Sequence, residues 1–443
     1  MEQVFQEILV MATTKLQEAL NADAASLSQS PWDPDAWEQE VRQFTRELGQ
    51  QCLQVWAQER TRQAQIQAAE CPCGQRRQVK KRKLIWWWST FGQVVVTEPY
   101  LVCPRGHGSD RPFQRLTGVS CRSKSRLLQR VLTDLGAEKS FAQASRQLKE
   151  HYGVALHPSS VRQVVETQAR RAEGFVAGRL QEVGRAFEQD PSPRRGVPWL
   201  IVESDGSMIR TGTLELAPEG GQSPKRQQPK RQRQTQWREV RLTCVQRPGE
   251  LAWHYGAILG SPAQVGEQMF ALAVLAGWGE DTEVHGVGDG APWIAQQMAE
   301  VFPRHRSLLE RYHLREPLDT GAQALPQNCP LSGQEWVDQQ QAIIDQGAVD
   351  TVIRTCHAFA RKRRDHPLHH LAQYLESQRE HLDYAGARER GLPEGSGAVE
   401  GGHRHVIQAR LKLPGTWWNE VTINPMLALR TLRANEWWEV FWN

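Results

Sequence analysis

Long apolar runs are missing from this chain of 443 residues, and that absence removes a large class of alternatives. No stretch approaches the roughly 20 consecutive apolar residues that a membrane-spanning helix needs. The first residues also lack the basic-then-apolar pattern of a secretory leader, so the reading is of a soluble, intracellular protein with no membrane partner. Cysteine is scarce: there are eight, and Cys52, Cys244, Cys329 and Cys356 have no close neighbour in sequence. This excludes a disulfide framework and fits a reducing compartment with one metal cluster. A large net charge is lacking too, the balance being only +4.

What charge there is lies in blocks. Arg76, Arg77, Lys80, Lys81, Arg82 and Lys83 follow one another without an acid, and Lys225, Arg226, Lys230, Arg231 and Arg233 form a second cluster among Gln and Pro. Blocks of this kind beside structured elements favour a polyanionic partner over a merely solvated face.

The chain length allows several domains. Residues 1–68 read as a helical arm, with Val4, Ile8, Leu9, Met11, Leu16 and Leu20, then Trp37, Val41, Phe44, Leu48 and Leu53, at near-helical spacing. Residues 69–120 open with Cys71-Pro-Cys73 and close with Cys103 and His107 around a β-type run at Val94–Val96. That is the layout of a zinc ribbon, in which thiolates and imidazole suit a tetrahedral zinc ion. The C-x-C spacing departs from the usual C-x-x-C, so a metal-free ribbon stays open, and Cys121 is a substitute ligand. Trp86, Trp87 and Trp88 read as hairpin core ahead of a base-stacking surface.

Residues 121–172 carry helices around Leu128 and Leu132, around Phe141 to Leu148, and from Ser160 onward, with Gly153 in the turn between the last two. These are the parts of a helix-turn-helix, the last helix starting at a serine N-cap, in which Ser159, Ser160, Arg162 and Gln163 open the recognition helix; a helical hairpin with no DNA role is the alternative. A linker helix follows over 173–196.

From Val197 the pattern becomes α/β. Trp199–Val202 is a buried-strand run leading to Asp205-Gly206, and 84 residues later Asp289-Gly290 follows the strand-like Val284–Val287. Asp-Gly after a strand is usually a turn. Here each Asp is expected just past a strand end, with three meandering strands, a helix and a parallel return between them. That is the order of an RNase H-like mixed sheet, which brings the first and fourth strands side by side. Glu400, in the Gly-rich Gly395–Gly402, falls in the first turn of a helix expected to run to Leu411. Helix dipole alone favours an acid there; the functional reading is that it completes a metal cage.

At these residues the chain resembles the ISKra family of bacterial insertion-sequence transposases. The carrying stretches are ESDGSMIRTG at 203–212, GVGDGAPWI at 286–294, LLERYHLRE at 308–316, and GSGAVEGGHRHVIQARLKLPGTWW at 395–418. The ordered set, with the ribbon, the helix-turn-helix and the Trp-rich tail to Trp442, covers nearly the whole chain. The resemblance implies an Asp205–Asp289–Glu400 triad holding two Mg²⁺ or Mn²⁺ ions and acting on DNA. It implies terminal inverted repeats and target DNA as partners, self-association on DNA, and a cytoplasmic, nucleoid-associated location. The 111 residues between Asp289 and Glu400 imply a helical insertion over 317–392, dividing a core over 197–316 from its C-terminal helices over 393–443. Tyr312-His313 resembles the Asp-x-x-His signature of Mutator-like transposases, which implies His313 as an auxiliary active-site residue; Glu310 stands where that signature has Asp, which leaves its role open. A catalytically dead DNA-binding regulator and a nuclease without strand transfer are the rivals.

Overall fold

The computed structural model describes residues 6, 9–14, 17, 18, 34–189, 195–216, 231–327, 329–361 and 363–443. Val4, Ile8, Leu16, Leu20, the linker's Pro/Arg-rich end at 190–194, and Lys225, Arg226 and Lys230 of the second basic cluster lie outside the described residues. The fold is mixed α/β, in two compact units, Met1–Val165 and Glu166–Asn443. Among the described residues no helix is long and apolar enough to cross a membrane.

In the first unit, helix α1 (Pro34–Gln67) lies along an antiparallel hairpin of β1 (Gln78–Ser89) and β2 (Gly92–Val102), with the two-residue β3 (Ser109–Asp110) on the far side of β2. The supposed arm is therefore part of the ribbon's core. Ala57 and Ala64 of α1 pack with Ile85, Trp87, Val94, Val96 and Phe113. The Gln54 amide makes a two-way pair with the Val95 backbone, accepting from its N–H at 2.9 Å and donating to its carbonyl. Period-two alternation decides the tryptophans: Trp87 is buried against Phe113 of α2 (Pro112–Thr117), whereas Trp86 and Trp88 are half-buried.

Three helices follow, α3 (Arg126–Glu138), α4 (Phe141–Tyr152) and α5 (Pro158–Gln189). Helix α4 starts at a Ser140–Gln143 capping box and stops at Gly153, whose φ of 68° is left-handed. Arg42 and Arg46 of α1 donate to its last carbonyls, Glu150 and His151. Gly136 lets α3 approach α5, since a Cβ there would stand 2.4 Å from Val165 Cγ2. One expectation needs correction: α5 is not capped by a serine. His157 takes that place, its Nδ1 accepting from the Ser159 N–H at 3.2 Å, with Pro158 opening the helix. Ser159 and Ser160 sit inside the first turn. The helix also runs unbroken through 172–173, where the sequence reading passed from helix-turn-helix to linker, and the two units divide within it.

The second unit is built on a five-stranded sheet of order β6-β5-β4-β7-β8. Strands β4 (Trp199–Leu216), β5 (Arg231–Gln246) and β6 (His254–Ile258) run as an antiparallel meander. Strands β7 (Glu283–Gly288) and β8 (His305–Leu309) add on the other side of β4, parallel to it. The first and fourth strands of this sheet are thus neighbours. Helix α6 (Pro262–Leu275) buries Val265, Met269 and Leu272, and α7 (Pro292–Val301) buries Ile294 and Met298. Span 317–392 is helical: α8 (Arg311–Ala322), α9 (Gly333–Asp345), α10 (Val349–Ala360), α11 (Pro367–Ser377) and α12 (Tyr384–Glu389). These helices share one apolar core with Ile201, Val287, Leu308 and Leu309 of the sheet. Helix α13 (Gly397–Gly402) lies on β5 and β6, a fit that needs glycine: a Cβ on Gly402 would come within 2.8 Å of Leu242 and 3.2 Å of Cys244 and Tyr255. A π-helical turn (His403–Gln408), a last turn α14 (Ala409–Leu411), α15 (Ile423–Ala434) and α16 (Trp438–Trp442) end the chain.

Helix α15 is almost wholly buried, and asparagines near its two ends meet β6. Asn424 accepts from the Leu259 N–H at 2.7 Å and donates to the Leu259 carbonyl at 3.1 Å. Asn435 does the same at Tyr255, at 2.7 and 2.9 Å. Each truncation strands a backbone donor and acceptor, worth about 1–3 kcal/mol. Asn435→Ala is expected to lower the urea midpoint accordingly without changing the slope of the transition; an unchanged midpoint would refute the bond's contribution.

Candidate functional sites

In the first unit Cys71, Cys73, Cys103 and His107 converge, their ligand atoms all within 4.8 Å of one another. Cys73 Sγ lies 3.6 Å from Cys103 Sγ, which is 3.7 Å from His107 Nδ1. Two thiolates bound tetrahedrally at 2.3 Å to one zinc ion stand about 3.8 Å apart, so the donor set and its spacing fit zinc. Tight turns make the site: the Gly74 N–H donates to the Cys71 carbonyl, and the Gly106 N–H to that of Cys103. Burial opposes ionisation of Cys103, yet the N–H groups of Arg105 and His107 bring its thiol down to about 6. The C-x-C spacing is no obstacle, because the turn between the two cysteines aims both inward. Cys121 is exposed and not among the four.

The basic run on β1 faces outward. Lys81 and Lys83 lie 5.5 and 5.9 Å from the Tyr100 ring centre, and Arg111 lies 5.6 Å from it. Lys80, Arg82 and Arg76 are exposed. Arg77 is different: it donates to the Ala68 carbonyl and pairs with Asp110 at 3.4 Å, so it braces the ribbon. On α5, Ser159, Arg162 and Gln163 are exposed and Ser160 is half-buried.

In the second unit the sheet register sets the acids. Strand β4 pairs in parallel with β7 up to Glu203↔Val287, and β7 with β8 up to Gly288↔Leu309. Continuing both registers sets Asp205, Asp289 and Glu310 level on three adjacent strand lines about 4.8 Å apart. The Glu310 N–H donates to the Gly288 carbonyl at 2.8 Å, extending the ladder. Asp205 was expected past a strand end; instead β4 runs on to Leu216, because β5 continues to pair with it after β7 has stopped. Gly206 is accordingly no turn residue. It leaves room for the Glu239 carboxylate, which a Cβ would meet at 2.2 Å. Gly290, with φ of 84°, does make a turn, and Asp289 Oδ1 accepts from the Ala291 N–H at 2.8 Å.

Glu400 sits on α13, 64% exposed, with Arg404 at 2.6 Å. Among the described residues the Cys/His cluster alone draws three or more metal-ligating side chains within 4.8 Å; Asp205, Asp289 and Glu400 are not so gathered. His313 Nε2 lies 3.5 Å from Glu310 Oε2. Arg233, on the outer part of β5, stacks 4.8 Å from the Trp417 ring centre; Arg231 contributes backbone pairing, and its side chain is outside the described residues.

Two side chains that sequence reasoning passed over tie Glu400's helix to Asp205's strand. Glu203, 2% exposed, accepts from the Val399 N–H at 2.8 Å, and burial pushes its carboxyl up to about 7. His403, 4% exposed, lies 3.0 Å through Nε2 from Asp205 Oδ2. The alternation of β4 holds the signal for Glu203, since two acids two apart share a face. His403 stands one helical turn after Glu400.

His285 on β7 is also buried, Nε2 donating to the Pro393 carbonyl at 2.8 Å and Nδ1 having no partner among the described residues. Burial lowers its pKa from the ordinary 6.5. A depressed histidine stabilises the fold above its unfolded value, and that stability is lost as pH falls below it. His285→Gln, which keeps the donor, is expected to flatten the fall in melting temperature below pH 6.5; an identical pH profile would count against this role.

No protein-family model matches the chain, and no curated protein matches it.

Proposed function

We propose that the chain is a DDE transposase of the ISKra kind, with an RNase H-like core that cuts and rejoins DNA. The observation that carries the reading is the parallel β4–β7 register, whose continuation sets Asp205 of β4 level with Asp289 just past the end of β7, in a sheet with the strand order and directions expected of such a core. Two carboxylates brought together at this edge would repel unless a cation lay between them, and hard oxygens suit Mg²⁺ or Mn²⁺. Asp205 and Asp289 fit this role, with Glu400 as third ligand once released from Arg404. Two such ions, if held there, would supply activation of a water or 3′-hydroxyl and stabilisation of the leaving oxygen.

The chain's own groups do the positioning. The Gly206 N–H, 2.6 Å from Oδ1, holds Asp205, and the His403 ring lies 3.0 Å from its other oxygen. The Ala291 N–H fixes one oxygen of Asp289 and leaves the other for a ligand. The ribbon with its zinc ion, the α4–α5 turn and the basic clusters would read and hold the terminal repeats, through salt-sensitive phosphate contacts. The pairing of Glu400 with Arg404 and the alignment of Glu310 favour a second assignment, Glu310 as the third ligand.

The test is incubation with Mg²⁺ and DNA carrying the terminal sequences that flank the coding region. Nicked ends and joined products support the reading. Binding without cleavage points to a regulator, and cleavage without joining to a nuclease.

A further inference from the structure

One exposed aromatic stands beside the acid row without a structural task. Helix α8 leaves β8 at Glu310, and its first turn is otherwise committed. Arg311 pairs with Glu394 at 3.0 Å and with Asp345, His313 with Glu310, and Leu314 is fully buried. Tyr312 is 74% exposed, and its hydroxyl has no hydrogen bond among the described residues. The His313 ring stands perpendicular to it at 5.9 Å, steadying the ring from one side. Neither core nor cap explains a tyrosine here; a polar residue would serve folding as well.

We propose that Tyr312 stacks on an unpaired nucleobase next to the reacting phosphate, so that the substrate is DNA frayed or single-stranded at the cut. The inference rests on the DNA-cleavage reading and deepens it. With a phosphate at the acid row, a ring two residues beyond Glu310 lies within a base step or two along the strand. An aromatic face accepts any base, but only one freed from its own stack. His313, bridging Tyr312 and Glu310, couples the stacked base to the row.

The test uses the full-length protein and single-stranded oligonucleotides with 2-aminopurine at each position in turn, without metal. Wild type and Tyr312→Phe are expected to quench one position, and Tyr312→Ala to lose that quench and bind about 5- to 100-fold more weakly. In the cleavage assay, Tyr312→Ala should lose the preference for an unpaired flank through KM with little change in kcat. Equal quenching in Tyr312→Ala and wild type, or equal loss in Tyr312→Phe, overturns the proposal. Asp289→Asn separates the two ideas: it should keep the quench and lose cleavage, and cleavage surviving it sinks the catalytic reading instead.

Discussion

Asp205→Asn and Asp289→Asn are each expected to reduce Mg²⁺-dependent strand cleavage on the order of 10³-fold or more, with DNA binding changed only a few-fold. The size follows from what is removed: an amide keeps the shape but not the charge that holds a divalent ion, and the stabilisation of entering and leaving oxygens goes with it. Neither change should harm the fold. The Asp205 side chain is a third exposed, and either amide oxygen can still accept from the Gly206 or Ala291 N–H. Glu400→Gln and Glu310→Gln decide the third ligand, the one as inactive as the aspartate variants marking the residue that completes the site. Full activity in Asp205→Asn would end the site assignment.

The second large effect concerns zinc. Purified protein should carry about one zinc ion per chain, and Cys103→Ser should lose it. Zinc supplies about 10–16 kcal/mol in small fingers that fold only around the metal. Here the ribbon also has a core against α1, centred on Ala57, Trp87, Val94 and Phe113, so part of the fold survives. A loss of about 3 kcal/mol or more, roughly 10 °C or more in melting temperature, is expected for the first unit. Hydrogen exchange should show the loss in β1 and β2 but not in β4 and β7. A metal-free preparation whose melting ignores a chelator would remove zinc from the account.

What could be read in advance followed from local rules. Apolar residues at helical spacing mark α3, α4 and α6, the Gly153 turn marks the end of α4, and four ligands around a hairpin mark the metal cluster. Asp205 and Asp289 stood out because strand runs precede both. What escaped depends on contacts distant in sequence. The passage of β4 through Asp205 is set by the length of β5, 16 residues against the six of β7. Glu203 looked like one more residue of a buried strand, yet its partner is Val399, 196 positions away. The helix after Glu400 read as regular, but its π-helical turn brings His403 to Asp205, and nothing in residues 400–411 alone encodes that contact. Glu310 gains its place only from the β7–β8 register.

The asparagines of α15 bear on how copies of the chain can assemble. Strand β6 forms one edge of the sheet, and the backbone amide and carbonyl groups of its Tyr255, and of Leu259 just past its end, are occupied by Asn435 and Asn424. Edge groups so occupied are not free to pair with a neighbour's strand. Under the proposed function, copies meeting on DNA would therefore be hindered from extending their sheets along β6 at these two positions, and that edge stays bonded within its own chain.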